Sequence, residues 1–204
     1  TNFTQISVNE NNSKVSAFEV VDQDSAASLL DLLMVVENQS IEFSLNSGSS
    51  ANRFSDGVGI SNLANASFAK AADFDRDGDH DVMLMKKNSS TIEILNNDGS
   101  GVFTSVLTLG SSSSVNSPSH AVIDDLNEDG YPDLVVAMKG SNEVSFFRNS
   151  ATTNSISFDP PVSVGTGISG VTHVQAGDLD ADGDLDVMAI AENTNEILWY
   201  KNEG

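Results

Sequence analysis

The 204-residue sequence contains no cysteine, which excludes a disulfide framework, Cys-ligated zinc, an iron–sulfur cluster and a thiol nucleophile. Positive charge is scarce as well: 9 Lys and Arg face 30 Asp and Glu, for a formal net charge of −21. Phosphate backbones and anionic lipid surfaces repel such a chain, so neither nucleic acid nor a membrane is an expected partner. Long apolar runs are missing too. The longest, Leu32 to Val36, has the length of a strand, against the ~20 residues of a membrane-spanning helix. The chain opens TNFTQISVNENN, with neither an initiator Met nor an apolar leader, as expected of a mature form or an excerpt. Disorder is also disfavoured, because 39% hydrophobic residues in short, regularly spaced clusters suffice to bury a core.

What the sequence does have is concentrated acid. Asp73, Asp75, Asp77, Asp79 and Asp81 form one knot, and Asp124, Asp125, Glu128, Asp129 and Asp133 a second. Asp178, Asp180, Asp182, Asp184 and Asp186 form a third, so three knots hold 15 of the 30 acids. They are in phase: Asp73 to Asp125 is 52 residues and Asp125 to Asp178 is 53, the mark of internal repetition. A degenerate fourth copy begins at Asp22, 51 residues before Asp73, with Ala26 in place of the third acid and one extra residue before Asp31. The repeats run roughly over 15–66, 67–118, 119–169 and 170–204, the last joined by 1–9.

Each repeat reads as strands. A β-rich run follows the acidic loop (Val82 to Met85, Leu134 to Met138, Val187 to Ala191), and a second run follows a polar turn (Thr91 to Leu95, Glu143 to Phe147, Glu196 to Tyr200). A short segment precedes the loop (Phe68 to Ala72, His120 to Asp124, His173 to Gly177), and a fourth closes the repeat (Val102 to Thr108, Ile156 to Val164). No window holds an apolar period of 3.6 residues with caps, so the chain is expected to be all-β. Both parities of the third strand are apolar (Val144 and Phe146, then Phe147), which suits sheets covered on both faces. Four strands per repeat of this length predict a β-propeller of four-stranded blades. The last repeat stops at Trp199–Gly204, and the N-terminal NFTQISV is similar to VFTSVLT of the second repeat. The N-terminal strand is therefore expected to complete the last blade, within one chain or between copies.

The loops DFDRDGDHD, DLNEDGYPD and DLDADGDLD resemble the calcium loop of the FG-GAP/VCBS repeat family, found in integrin-like propellers and many bacterial surface proteins. Their chemistry can also be read directly. Oxygens at loop positions one, three and five point into one concavity when the backbone coils tightly, and the glycine at six (Gly78, Gly130, Gly183) permits the turn. Position seven offers a backbone carbonyl and the acid at nine closes the shell. Hard oxygen donors without Cys favour Ca²⁺ over zinc or copper. An EF-hand would need Glu at the twelfth position, where Leu84, Val136 and Ala189 stand. Three Ca²⁺ sites are thus expected: Asp73, Asp75, Asp77, Asp79 and Asp81; Asp125, Asn127, Asp129, Tyr131 and Asp133; and Asp178, Asp180, Asp182, Asp184 and Asp186. A fourth, near Asp22, Asp24 and Asp31, has lost its third acid and its glycine.

Catalytic signatures are absent: no nucleophile elbow, phosphate-cradling loop or HExxH occurs, and the obvious carboxylate pairs are committed to metal. His120 and His173 hold equivalent places five residues before a loop, where the second repeat has Phe68, and are expected to pack near a ring axis. Trp199, Tyr200, Phe146 and Phe147 are expected in blade cores, and Tyr131 exposed for partner contact. The function expected is a secreted or cell-surface, calcium-stabilised, non-enzymatic binding or adhesion module. The family resemblance implies protein or carbohydrate ligands at the ring face or between blades. The alternatives are the propeller part of a carbohydrate-active enzyme and a structural segment of a larger surface protein or filament. Calcium loops that need only ~10⁻⁴–10⁻³ M affinity suit an extracellular setting.

Overall fold

The structure is a computed structural model that describes residues 15–21, 31–36, 40–44, 58–60, 66–86, 88–99, 102–110 and 115–204. Among these the regular structure is entirely β. The first sheet contains β1 (Val15–Val21), β2 (Asp31–Val36), β3 (Ser40–Ser44) and β4 (Val58–Ile60). The second contains β5 (Phe68–Ala72), β6 (Asp81–Lys86), β7 (Thr91–Asn97) and β8 (Phe103–Leu109). The third contains β9 (Pro118–Asp124), β10 (Asp133–Met138), β11 (Glu143–Phe147) and β12 (Val162–Thr166). The last contains β13 (Val171–Gly177), β14 (Asp186–Ala191) and β15 (Glu196–Tyr200). Every sheet is an antiparallel meander whose neighbours in sequence are neighbours in space.

The second strands of the second and third sheets are apolar on both faces because both faces are covered. Val82 and Leu84 of β6 join Leu33, Ala69 and Leu95 in a layer between the first and second sheets. Met83 and Met85, one residue out of phase, join Ile92 and Ile94 against Leu134, Val136, Met138 and Phe147 of the third sheet. Val135, Ala137 and Val144 then meet Val171, Val174, Val187 and Ala189 of the last. A period-two strand between two apolar layers has no polar side to present, so β10 is buried at all six residues. Gly165 lets the layers approach: a Cβ there would lie 2.5 Å from the Tyr200 ring.

Two expectations are corrected. The closing segment of the third repeat begins not at Ile156 but at Val162, because Pro160 and Pro161 have no N–H to give a ladder. Before them only isolated bridges form, Asn149 with Phe158 and Thr152 with Ser155. Trp199 is not core: it is 52% exposed, in the register position where the second sheet has the fully buried Ile94. The packing layers join first to second, second to third and third to last sheet, and among the described residues none joins the last to the first. The N-terminal strand expected to complete the last blade, 1–9, lies outside the described residues, as do Asp22 and Asp24 of the degenerate loop.

Candidate metal centre in the acidic loops

Each acidic loop joins the first and second strands of its sheet. The backbone turns left-handed twice: at position six (Gly78, φ 100°; Gly130, 91°; Gly183, 106°) and at position four (Arg76, 58°; Glu128, 57°; Ala181, 63°). Glycine takes the first without penalty. The non-glycine residues at four carry strain on the order of 1 kcal/mol each, held because the rest of the loop over-determines them. Carboxylates supply that constraint. The position-six N–H donates to the position-one Oδ2 in every loop, at 3.1 Å to Asp73, 2.8 Å to Asp125 and 3.2 Å to Asp178. The position-seven N–H donates to the position-five Oδ1, at 3.0 Å to Asp77, 3.0 Å to Asp129 and 3.1 Å to Asp182.

The acid at position nine does more than close a shell. Asp81 accepts the Phe74 N–H on Oδ2 (3.0 Å) and the Asn97 N–H on Oδ1 (2.9 Å). Asp133 does the same with Leu126 and Asn149, and Asp186 with Leu179 and Asn202. One buried carboxylate thus pins its loop to the end of the third strand. Burial raises Asp81 to about 7, against the opposing pull of those two N–H groups and with help from Asp75 and Asp77. Burial likewise raises Asp133 to about 6.

The sequence reading overlooked the three asparagines on the other side of this pin. Asn97, Asn149 and Asn202 each stand sixteen residues after the position-nine acid. Their side-chain amides donate to the position-eight carbonyl, at 3.2 Å to His80, 2.9 Å to Pro132 and 3.3 Å to Leu185. Two of them also reach the preceding sheet: Asn149 Nδ2 donates to Phe74 O (2.9 Å) and Asn202 Nδ2 to Leu126 O (3.1 Å). The signal was legible, because an Asn follows each third strand in the same column.

The expected ligands are only partly brought together. Asp73, Asp75 and Asp81 can place one oxygen each within 4.8 Å of one another, and so can Asp178, Asp180 and Asp182. The second loop forms no such three-acid group among the described residues, its third position being Asn127, whose Nδ2 donates to Asp129 Oδ2 at 3.0 Å. Asp79 and Asp184 fall outside both groups, while Tyr131 lies half-buried beneath the Arg76 guanidinium, 5.5 Å from the ring centre, rather than exposed. His120 stacks on Phe68 (5.1 Å) and His173 (4.9 Å) along the first strands, and burial lowers it to about 4.

The residues fit a hard cation. Asp75 is 1% exposed, and neither of its carboxylate oxygens has a hydrogen-bond partner within the protein; Asp125 Oδ1 is equally orphaned. Burial, then Asp77 and Asp73, push Asp75 above its ordinary value. A buried anion without a partner is costly, and an oxygen-only donor set suits a dication such as Ca²⁺.

Residues 125–189, from the first ligand position of the second acidic loop into β14, match the family model described as FG-GAP-like repeat. Over that segment the chain is similar to an FG-GAP repeat. No curated protein sequence is matched by the chain. Among solved structures, the crystal structure of BBS1N in complex with ARL6DN, soaked with lead, is similar with a TM-score of 0.55 at 11% identity. The likeness covers 94% of this chain and 53% of that one, so this chain spans about half of its length. At that identity the likeness is one of fold, and BBS1N is a β-propeller.

Proposed function

We propose that this chain, with its FG-GAP-like repeats, is a calcium-stabilised β-propeller segment of a secreted or cell-surface protein, serving as a non-enzymatic binding or adhesion module. In this reading each sheet is a blade, and an N-terminal strand completes the last. The carrying observation is Asp75, a buried carboxylate with two unpartnered oxygens inside a loop whose pattern recurs in phase. When bound, the ion neutralises carboxylates that otherwise repel one another. Asp73, Asp75 and Asp81 would hold it in the first complete loop, Asp125, Asn127 and Asp129 in the second, and Asp178, Asp180 and Asp182 in the third.

Non-enzymatic binding is the better role because so many of the acids already serve the loops. The position-one, position-five and position-nine carboxylates accept backbone N–H groups, which leaves them little freedom for proton transfer. The structure of BBS1N with ARL6DN is an instance of a similar fold in a complex, which supports a binding role without naming a ligand. Calorimetric titration with Ca²⁺ tests the metal: two or three binding events are expected, and no heat at millimolar Ca²⁺ would refute it. A glycan array run beside a reducing-sugar assay tests the role, and sugar release would replace the binding module with an enzyme.

A further inference from the structure

We propose that Arg76 couples the first two complete acidic loops, so that a cation held in 73–81 strengthens the binding of another in 125–133. The proposal rests on the reading of these loops as calcium sites. A contact between the loops carries it. Arg76 stands at position four of its own loop, between Asp75 and Asp77, and its guanidinium reaches the next loop, 5.5 Å from the centre of the Tyr131 ring. It also fills the space beside Gly130, where an added Cβ would collide with Arg76 Nη1. Gly130 and Tyr131 are the residues that orient the ligands of the second loop. The Gly130 N–H donates to Asp125 Oδ2 at 2.8 Å, and the Tyr131 N–H to Asp129 Oδ1 at 3.0 Å. Arg76 therefore bears on two ligands through their backbone donors, as a positioning residue and not as a ligand.

Arg76 can transmit the state of its own loop because its backbone is strained. A φ of 58° persists only while the flanking residues over-determine the turn. On one side Asp75 is buried without a hydrogen-bond partner, and Asp77 and Asp73 both repel its charge. Once a dication neutralises that repulsion, the loop is fixed, Arg76 is held in its left-handed turn, and the guanidinium stays against Gly130 and Tyr131. Two more bonds tie the first loop to the sheet that carries the second. Asn149 Nδ2 donates to Phe74 O at 2.9 Å, and the Asn154 N–H donates to Asp75 O at 3.4 Å.

The next pair of loops is an internal control. Position four of the second loop is Glu128 and position seven of the third is Asp184, two anions in place of Arg and Tyr. A Cβ added at Gly183 would meet nothing within 4 Å, so among the described residues no side chain covers that turn as Arg76 covers Gly130. The asparagine pin is common to both pairs, since Asn202 Nδ2 donates to Leu126 O as Asn149 Nδ2 does to Phe74 O. Arg76 is the difference. The sign of the coupling is diagnostic, because two dications in neighbouring loops repel through space, whereas coupling carried by the Arg76 contact is favourable.

A calcium titration followed by the amide resonances of Gly78, Gly130 and Gly183 tests the proposal, because each of these N–H groups donates to a position-one carboxylate and reports one loop. Gly78 and Gly130 are expected to shift together along one steep curve, and Gly183 along its own. Asp75→Asn, which removes a first-loop ligand, should raise the Gly130 midpoint about fivefold or more and leave the Gly183 midpoint in place. A Gly130 midpoint that stays or falls overturns the proposal while leaving independent calcium sites. Arg76→Met keeps the exposed aliphatic stem and removes the guanidinium. In that background Asp75→Asn should no longer move Gly130, and a shift of undiminished size overturns the assignment to Arg76. If no glycine amide responds at millimolar calcium, the calcium reading itself fails, and this proposal with it.

Discussion

The loops at 73–81 and 178–186 differ in sequence at three positions, yet they live in different environments. The first lies under the following sheet. Phe74 is fully buried and meets Phe158 edge-on at 5.7 Å, Asn149 holds its carbonyl, and the Asn154 N–H donates to Asp75 O at 3.4 Å. The last loop has no following sheet among the described residues. Leu179, in the place of Phe74, is 45% exposed, and Asp178, Asp180 and Asp182 are all exposed. There Lys201 reaches into the loop, 2.5 Å from Asp180 and 3.0 Å from Asp182, and raises no desolvation problem because water shares the site. The equivalent of Lys201 is Asn96 in the second repeat and Arg148 in the third, where the guanidinium lies 3.4 Å from Asp129. The first of the two loops therefore demands a cation most, because a neighbouring sheet excludes water from Asp75, while the exposed last loop carries a tethered one in Lys201.

Chelation should break this comparison most severely. At a calcium concentration a hundredfold above Kd, each occupied site stabilises the fold by about 2.7 kcal/mol, so EGTA should lower the thermal midpoint by many degrees. An unchanged midpoint would remove the metal from the account. The effect is pH-dependent with a defined sign. Asp81 (about 7) and Asp133 (about 6) are raised by folding, so the folded chain holds more protons than the unfolded one between about pH 4 and 7. In EGTA, stability should rise on acidification through that window and fall as pH rises. In calcium, which needs those carboxylates ionised, the metal's contribution should shrink over the same window, so the two melting curves converge toward pH 5.

The asparagine pins come next. Asn149→Ala strands the Phe74 and Pro132 carbonyls and the Ala151 N–H in a buried place, and should cost about 3 kcal/mol in urea unfolding. Asn202→Ala removes the equivalent side-chain bonds, to Leu126 O, Leu185 O and the Gly204 N–H, at the more exposed end and should cost about 1 kcal/mol. Equal costs would show that the covering sheet does not matter.

Asp75→Asn should weaken the tightest calcium step by tenfold or more, yet stabilise the EGTA form, because it removes an unpartnered buried charge. Asp180→Asn should weaken its own step less and leave the EGTA form nearly unchanged. Calorimetry and melts of the four protein–buffer combinations check the crossing. The smallest effect is expected from Lys201→Met: an exposed pair contributes about 0–1 kcal/mol, so calcium affinity at the last loop should rise a few-fold at most.

Much of this was legible in the sequence. In-phase Asp knots and apolar runs with both parities filled placed the first three strands and the loop of each of the last three repeats within a residue or two, because period and spacing are local properties. The left-handed position four was not legible, since Arg76, Glu128 and Ala181 have nothing in common that favours φ above zero. Nor was the double role of Asp81, Asp133 and Asp186, which look like any other acids of their knots until the third strand returns beside them. The pins at Asn97, Asn149 and Asn202 were visible as a column but had no assignable partner, because the partner carbonyls lie up to 76 residues away.

By itself, then, the amino-acid order determined an all-β repeat with oxygen-rich loops at fixed intervals, and a charge of −21 concentrated in them. Tertiary structure alone decided which copies of an equivalent side chain are buried. Ile94 and Trp199 share a register position, as do Phe74 and Leu179, and their exposure differs because one sheet has a successor packed against it and the other has none among the described residues. Desolvation depends on what lies across the interface, and a repeat's own sequence carries no information about its neighbour.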